Sequence, residues 1–462
     1  MEILNLKTGS KIHFIGIGGV SMSSLAEIAN NNGYIVSGSD IKESELTEKL
    51  KNSGIKIYIG QKKENINGPD LVVYTAAISK DNEEYIAAVN SGASVIERSV
   101  FLGELMKSYS HNCCISGTHG KTTTTAMLSL IMLNTKLDPT ILVGGEVKEL
   151  GNNYKIGSNN ILITESCEYV ESFLKFYPET AIINNIEEDH LDYFKDLEHI
   201  KSSFKKFADL IPSSGIIIAN GMDNNVRDTL KNTDNVKYFG TEENCDYIAK
   251  NISYSNKGYG SYDMYNKSNF ICRINLNVPG EHNVLNSLAA AALALHHNCS
   301  IEAIQKGLEE FKGTGRRFEY KGSCNGADIF DDYAHHPTEI KTTLAACKKY
   351  DSKNIIAIFQ PHTYTRTKAL FNDFLTAFYD ADELIITDIY AAREKDTGLV
   401  NSRQLSDALE QKGVNVKYIS NFDDIINYLK ANITSKDLVI TIGAGDVCKI
   451  SSQLCQDAWQ DP

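Results

Sequence analysis

The sequence predicts an α/β protein of three domains, and three observations lead to that expectation. The chain has 462 residues, which at roughly 100–200 residues per domain suggests about three domains. Short β-branched runs such as KIHFIGI, LVVYTAA, ILITE and DLVITIG alternate with helical segments. Runs that are apolar on both faces are typical of parallel sheets covered by helices on both sides. Two of these runs lead directly into glycine-rich turns, where α/β proteins bind ligands.

Composition excludes several classes of function. The net charge is −13, from 46 Lys and Arg against 59 Asp and Glu, which argues against binding to nucleic acid or to an anionic membrane surface. No segment approaches the roughly 18 apolar residues that a membrane span needs, and the first residues run into a strand without the apolar core of a signal peptide. The 10 cysteines form no CxxC pair, which favours reduced thiols. We therefore expect a cytoplasmic protein.

Two changes of pattern predict the domain boundaries. The first lies near 107–111, where the helical segment VFLGELMK gives way to a new strand, and the second lies near 312–316, in KGTGRR. The predicted domains are 1–108, 109–314 and 315–462. Between about 241 and 277 the sequence is rich in Tyr and Asn and alternates weakly, which predicts a small antiparallel extension of the middle domain.

The first glycine-rich turn follows a strand expected over 11–17. It reads GIGGVS, precedes a helical stretch and is followed by a second strand that ends at Asp40. In the dinucleotide fingerprint, glycines let the backbone approach a pyrophosphate at a helix N-terminus, and an acidic residue after the second strand binds a ribose. Ser21 occupies the position of the third glycine, so the match is incomplete. NAD, another nucleotide diphosphate and a purely structural turn all remain open from this motif alone.

The second glycine-rich turn predicts an ATP site. A buried strand, CCIS, delivers GTHGKTTTT onto a helix that we expect to extend to about Leu133. Backbone N–H groups at such a turn cradle phosphate oxygens, the lysine neutralises the β- and γ-phosphates, and the next hydroxyl can bind magnesium. Two residues separate the glycines here, where the general P-loop pattern has four. The predicted ATP-binding residues of this loop are Gly117, Thr118, His119, Gly120, Lys121, Thr122 and Thr123.

The second loop resembles the nucleotide loop of the Mur ligases, the ATP-dependent amide-forming enzymes of peptidoglycan synthesis. Further segments similar to the family follow in order along the chain: HFIGIGG, NIEEDHLDYF, PGEHNVLNSLAA, GTGRRFEY, DDYAHHPTE, FQPHTYTRT and GAGDV. The resemblance covers essentially the whole chain. It implies a Rossmann-like N-terminal domain, a central P-loop-type ATPase domain with a parallel sheet, and a Rossmann-like C-terminal domain.

The resemblance also implies a reaction in two steps. The lactyl carboxylate of UDP-N-acetylmuramate attacks the γ-phosphate of ATP, and an amine then attacks the resulting acyl phosphate. GRRFEY and DDYAHHPTE look closer to the branch that adds L-alanine than to the recycling branch that adds a preformed tripeptide, which is the alternative. The implied partners are UDP-N-acetylmuramate, L-alanine and ATP, with Mg²⁺, two ions being expected. The diphosphate of the first loop then belongs to a UDP-sugar, and the chain acts as a monomer or a homodimer.

Polar residues at strand ends are candidates for a metal site. Glu165 ends one strand and His190 lies just beyond another, at the sheet edge where α/β ligands bind. Spacing alone leaves other carboxylates open, namely Glu168, Glu187, Glu188 and Asp189. The resemblance implies one magnesium on Thr122 and a second on Glu165 and His190. It implies the catalytic residues Lys121, Glu165, His190, Arg316 and His335.

The remaining candidates come from motifs whose local explanation is a helix start or a solvated turn. The Asn283 amide suits the edge of adenine, and a helix N-cap is the alternative local explanation. The resemblance places on the ATP side the residues Asn283, Asn286, Arg316, Asp331 and Asp332. It places on the side of the UDP-sugar and the amino acid the residues Gly16, Gly18, Gly19, Ser21, Asp40, Ser79, Arg98, His362 and Arg366.

Overall fold

A computed structural model of the chain describes residues 6–158, 160–191, 193–392, 394–396 and 398–457. It confirms the α/β class. The chain forms two compact units: one comprises the residues up to Ile186 together with Lys201–Lys237, and the other comprises Glu187–Ile200 together with the residues from Tyr238 onward. This division groups the chain differently from the three domains expected from the sequence, whose boundaries stay a prediction.

The strands and helices alternate along most of the chain. The strands are β1 Lys11–Ile15, β2 Ile35–Asp40, β3 Lys56–Ile59, β4 Leu71–Tyr74, β5 Ser94–Glu97, β6 His111–Ser116, β7 Thr140–Val147, β8 Asn152–Lys155, β9 Ile161–Glu165, β10 Thr180–Ile183, β11 Ile216–Asn220, β12 Val236–Gly240, β13 Tyr247–Tyr254, β14 Tyr259–Asn266, β15 Asn269–Pro279, β16 Glu319–Cys324, β17 Ala327–Asp332, β18 Ile355–Phe359, β19 Glu383–Ile386, β20 Val416–Tyr418 and β21 Leu438–Ile442. The helices are α1 Val20–Asn31, α2 Glu45–Asn52, α3 Glu83–Asn90, α4 Arg98–Met106, α5 Lys121–Leu133, α6 Leu197–Ala208, α7 Asn224–Leu230, α8 Glu281–His296, α9 Ile301–Glu310, α10 Pro337–Lys348, α11 Tyr364–Ala369, α12 Phe371–Phe374, α13 Ser402–Gln411, α14 Phe422–Asn432 and α15 Cys448–Asp457.

The first unit begins with a five-stranded parallel sheet in the order β3-β2-β1-β4-β5. β1 ends at Ile15, two residues earlier than expected, because Gly16 takes a positive φ of 82° and turns the chain out of the sheet. β1 lies between β2 and β4, and the strands that follow in sequence extend the sheet first on the β2 side and then on the β4 side. Ligands of open α/β sheets bind at such a reversal of strand order, outside the carboxyl ends of the strands. The glycine turn after β1 therefore lies where the sequence predicted a ligand site.

The same unit contains strands in the order β11-β10-β6-β9-β7-β8. They pair in parallel except for β7 and β8, which are antiparallel. β6 lies between β10 and β9, so the second glycine turn also follows a strand at which the order reverses. β6 is almost completely buried, as its apolar sequence predicts for a central parallel strand.

The second unit confirms the predicted antiparallel extension. β13, β14 and β15 pair antiparallel, and β13 pairs with β12 in parallel. A six-stranded sheet follows in the order β16-β17-β21-β18-β19-β20, in which only the pair β16 and β17 is antiparallel. All residues of β18 and β21 are buried. Among the helices of the described residues, none is long and apolar enough to cross a membrane.

Candidate active site

The glycine turn after β1 is held against the end of β2. The backbone N–H groups of Gly16 and Ile17 both donate to the carbonyl of Ser39, each over 2.9 Å. The N–H of Gly18 donates to Oδ2 of Asp40 over 2.8 Å. A Cβ on Gly18 would lie 2.8 Å from the same carboxylate oxygen, so this close approach requires glycine. The structure thus brings Asp40 to the loop, and its predicted contact with the UDP-sugar stays a prediction.

Helix α1 begins at this turn without a side-chain cap. Gly19 is its N-cap residue, so the first N–H groups of α1 receive no bond from a capping side chain. Such a helix N-terminus favours an anionic group. Ser21 in the first turn accepts a hydrogen bond from Nη1 of Arg98 over 3.1 Å, although 77 residues separate them. Ser79 lies on an exposed turn, where its carbonyl accepts the N–H of Asn82, and its predicted contact with the UDP-sugar stays a prediction.

The second glycine turn is supported by two asparagines at the end of β10. Gly117 has a φ of 137°, and a Cβ there would lie 2.9 Å from Cβ of Asn184. The carbonyl of Asn185 accepts the N–H of Thr118 over 3.1 Å, and its Oδ1 accepts the N–H of His119 over 2.7 Å. The sequence alone gave these asparagines no role. Their position directly after a buried strand was the available signal.

Lys121 is the first residue of α5, and Gly120 before it has a φ of 80°. Its ammonium donates to the carbonyls of Gly117 and Thr118, and it lies 3.0 Å from Oε2 of Glu168. Burial alone would lower the pKa of Lys121, but the carboxylate of Glu168 outweighs it and raises the pKa above its ordinary value. Lys121 therefore stays charged, with Glu168 as a counter-ion that only the fold reveals.

Thr122 and Glu165, two of the predicted magnesium ligands, lie side by side. Oγ1 of Thr122 donates to Oε2 of Glu165 over 3.1 Å, and Oε1 of Glu165 accepts the N–H of Gly144. A Cβ on Gly144 would lie 2.8 Å from the carboxylate, so a side chain here would displace Glu165. A hydroxyl and a carboxylate at a phosphate loop are the oxygen donors that Mg²⁺ prefers. Thr123 follows in the first turn of α5 and is half-buried.

In the second unit, the predicted adenine-binding amides lie at the start of α8. Nδ2 of Asn283 donates to the carbonyl of Pro279 over 2.7 Å, and Nδ2 of Asn286 donates to Oδ1 of Asn283 over 3.2 Å. Both asparagines are buried. The neighbouring His282 has a pKa lowered to about 4 by burial and by Arg317. The amides are thus held in one fixed arrangement, and His282 is neutral at physiological pH.

Arg316 is bound within its own unit. Its Nε lies 3.1 Å from Oδ2 of Asp331, and its Nη2 donates to the carbonyls of Gly443 over 2.6 Å and Gly445 over 3.1 Å. Thr441 donates to Asp331 over 2.6 Å, yet burial raises the pKa of that carboxyl. The GAGDV segment is therefore joined to Arg316 through backbone carbonyls. The reach of Arg316 to a phosphate stays a prediction.

Asp332 holds the turn that leads into α10. Its Oδ2 accepts the N–H of Phe318 and its Oδ1 that of Ala334, each over 2.7 Å. Burial raises the pKa of Asp332 to about 6. Both oxygens of Asp332 are thus occupied by backbone groups, and its contact with ATP stays a prediction.

A cluster of titratable groups forms where α10 and α11 begin. Arg366 donates through Nη2 to Oδ1 of Asp189 over 3.1 Å, and its Nη1 lies 3.1 Å from Nδ1 of His362. The ring of His362 lies 5.9 Å from that of His335, whose pKa burial lowers to about 4. His190 follows Asp189 with a φ of 54°. Burial would raise the pKa of Asp189, but His190 and Arg366 hold it well below its ordinary value.

This cluster joins predicted residues that are far apart in sequence. His335, His362 and Arg366 lie close together, and Asp189, which spacing left open as an alternative metal ligand, is the anionic partner of Arg366. Asp189 and Arg366 are 177 residues apart. The predicted role of His190 as a magnesium ligand stays a prediction.

Comparisons with known proteins define the class. Three family models match in succession: the "Mur ligase family, catalytic domain" over 11–110, the "Mur ligase middle domain" over 115–294 and the "Mur ligase, glutamate ligase domain" over 316–445. Together with the phosphate loop, these matches identify an ATP-dependent amide ligase, and the chain belongs to the Mur ligase family.

Individual relatives show which Mur ligases the chain is similar to along nearly its whole length. The chain is 51% identical over 438 residues to the UDP-N-acetylmuramate–L-alanine ligase of Clostridium beijerinckii, covering 95% of each chain. It is 50% identical over 459 residues to the ligase of that name from Acetivibrio thermocellus, covering 99% of this chain and 98% of the relative. A crystal structure of the UDP-N-acetylmuramate–alanine ligase of Thermotoga maritima matches with a TM-score of 0.83 at 28% identity, covering 97% of this chain and 99% of that one.

Proposed function

We propose that this chain ligates L-alanine to the lactyl carboxylate of UDP-N-acetylmuramate, forming UDP-N-acetylmuramoyl-L-alanine, ADP and phosphate. One observation carries the proposal: the relatives at 50% and 51% identity, matched over at least 95% of both chains, are UDP-N-acetylmuramate–L-alanine ligases. A murein peptide ligase of Psychrobacter arcticus matches with a TM-score of 0.72 at 27% identity, so the tripeptide-adding reaction is the alternative to be tested.

The domain roles are part of the proposal. Residues 1–108 would bind the UDP-sugar at the Gly16–Ser21 turn, residues 109–314 would bind ATP, and residues 315–462 would position the amino acid. The order of the three family models supports this assignment. Two contacts support a diphosphate site at this turn. Asp40 holds Gly18 just before the N-terminus of α1, and Ser21 holds the guanidinium of Arg98 beside it. A helix N-terminus and a guanidinium both favour an anionic group such as a diphosphate.

In the first step, the protein would position the lactyl carboxylate in line with the γ-phosphate of ATP. Lys121 would neutralise the negative charge on the phosphates, since its raised pKa keeps it protonated. Thr122 would hold one Mg²⁺, and Glu165 and His190 would hold a second. The metal would supply positive charge that screens the phosphate oxygens from the attacking carboxylate.

In the second step, the amine of L-alanine would attack the acyl phosphate and release phosphate. The cluster of His335, His362 and Arg366 offers both a cation, Arg366, and a neutral imidazole, that of His335. Burial lowers the pKa of His335 to about 4, so its ring would be neutral and could accept a hydrogen bond from the attacking amine. Arg366, fixed by Asp189, can bind a carboxylate.

The decisive experiment measures phosphate release by the purified protein with ATP, Mg²⁺ and UDP-N-acetylmuramate, adding either L-alanine or the tripeptide. We expect release with L-alanine and a product heavier than UDP-N-acetylmuramate by one alanyl residue. Turnover with the tripeptide alone would establish the alternative, and NADH-linked absorbance change without phosphate release would reject the ligase. Light scattering decides between a monomer and a homodimer, and fractionation of the source cells tests the cytoplasmic location.

A further inference from the structure

A polar network centred on two fully buried side chains, His13 and Glu84, lies in the first sheet, outside the residues assigned to the reaction. Nε2 of His13 on β1 lies 2.9 Å from Oε1 of Glu84 on α3, and Nδ1 of His13 lies 2.8 Å from Oγ of Ser37. Oγ of Ser39 donates to Oε2 of Glu84 over 2.6 Å. The side chains of His13 and Glu84 are 1% and 0% exposed. Burying an ionisable pair is costly, and apolar residues of similar volume often serve stability equally well. The network therefore calls for a role other than packing.

Ser39 connects this network to the glycine turn. Its hydroxyl binds Glu84, while its carbonyl accepts the N–H groups of Gly16 and Ile17. The next residue, Asp40, accepts the N–H of Gly18. The end of β2 thus contacts the network on one side and three consecutive backbone N–H groups of the turn on the other. A shift of Ser39 would move the N–H groups of Gly16 and Ile17 directly, and that of Gly18 through the adjacent Asp40.

The α3 side of the network is fixed independently. Asn82 caps α3, and its Oδ1 accepts the N–H groups of Glu84 and Tyr85 over 3.0 and 3.1 Å. Nδ2 of Asn82 donates to Oε1 of Gln61 over 2.9 Å. Because the cap holds the backbone of Glu84, the carboxylate is a fixed point to which the end of β2 is attached.

We propose that Glu84 and Ser39 are positioning residues for the UDP-sugar: the carboxylate holds Ser39, and Ser39 holds the glycine turn in the shape that receives the diphosphate. This inference rests on the proposed function of the first domain. Ser37 provides a matched comparison, since it lies on the same strand and its hydroxyl binds the same network through His13, whereas the N–H groups of the turn are accepted by Ser39 and Asp40.

The test compares Ser39→Ala with Ser37→Ala in the full chain. Binding of UDP-N-acetylmuramate is measured by calorimetry, and KM values for both nucleotides are measured well below the unfolding temperature. For Ser39→Ala we expect the Kd and KM for the UDP-sugar to rise about tenfold, equivalent to about 1.4 kcal/mol, with KM for ATP and kcat unchanged. Ser37→Ala should leave both UDP-sugar constants unchanged. Glu84→Gln should also bind nearly normally, because its amide oxygen can still accept from Ser39.

Equal UDP-sugar binding by Ser39→Ala and the unsubstituted protein would overturn the inference and leave the proposed function intact. The inference also fails if Ser37→Ala weakens binding as much, since the network would then act only through stability. If Ser39→Ala does not fold, Glu84→Asp, whose shorter side chain withdraws the carboxylate from Ser39, carries the same expectation. Failure of the unsubstituted protein to bind UDP-N-acetylmuramate would instead reject the proposed function.

Discussion

Replacing Lys121 by methionine should lower both the stability of the protein and its rate of catalysis, and a second substitution at Glu168 separates the two effects. The Lys121 side chain is 15% exposed and that of Glu168 is 3% exposed, with 3.0 Å between Nζ and Oε2. Removing one partner of a buried ion pair costs about 3–5 kcal/mol because the other charge stays buried. Lys121 is not fully buried, so we expect a loss of about 3 kcal/mol in the free energy of unfolding.

The catalytic loss has a different origin. Lys121→Met removes one charged donor from the transferring phosphoryl group, and loss of one such preorganised donor lowers kcat by about 10²–10³. Phosphate release is measured with saturating ATP, UDP-N-acetylmuramate and L-alanine, and unfolding is followed in urea. The double variant Lys121→Met, Glu168→Gln no longer buries an unpaired carboxylate, so most of the stability should return while turnover stays low.

Two results would refute this reasoning. Near-normal phosphate release by Lys121→Met would mean that the lysine does not act on the phosphates. Recovery of turnover in the double variant would mean that the single variant was inactive only because the charge of Glu168 disturbed the loop. Glu168→Gln alone is the matched control, because it keeps the lysine and removes its counter-ion.

Three further predictions concern Glu165, Arg366 and His335. Gly144→Ala should displace the carboxylate of Glu165, which would lie 2.8 Å from the new Cβ, and should raise the Mg²⁺ concentration for half-maximal activity at least about tenfold. Arg366→Lys keeps the charge but loses the two-nitrogen fork that contacts Asp189 and His362 together, so kcat/KM for L-alanine should fall at least about tenfold. Burial lowers the pKa of His335 to about 4, so between pH 6.5 and 4 the unfolded chain binds a proton that the folded chain does not. The free energy of unfolding should therefore fall by up to about 3 kcal/mol as the pH falls through that range. The variant His335→Asn should lack this pH-dependent part of the fall.

A different experimental result would contradict each of these three predictions. An unchanged Mg²⁺ titration for Gly144→Ala would show that Glu165 does not hold the metal. Normal use of L-alanine by Arg366→Lys, checked against an unchanged KM for ATP, would remove Arg366 from the amino-acid site. An acid-dependent loss of stability in His335→Asn equal to that of the unsubstituted protein would assign it to other groups, such as His282.

Local sequence was sufficient where one short segment carries both the structure and the chemistry. The strand, turn and helix around Lys121 follow from a buried run, two glycines and a helix-forming stretch, and α5 ends at Leu133 as expected. The Tyr- and Asn-rich stretch folded into antiparallel strands because alternation along a strand is itself a local signal. Such features depend on neighbours within a few residues, so they can be read from the chain.

Partners that are distant in sequence could not be assigned in this way. The pairing of Lys121 with Glu168 depends on where the turn after β9 lies in the fold, and that of Asp189 with Arg366 spans 177 residues. Arg316 was expected to reach for phosphate, yet the fold surrounds its guanidinium with Asp331 and two carbonyls. Spacing along the chain carries no information about these contacts.

Local patterns along the chain were enough to predict the α/β class, the two glycine turns, the ATP loop and the family, because the order of these patterns is distinctive. The tertiary structure decided which charges are neutralised and which turns are held: Glu168 at Lys121, Asp189 at Arg366, and Glu84 through Ser39 at the first turn. The physical reason is that burial sets the strength of a charge or hydrogen bond, and burial exists only once distant segments have packed together.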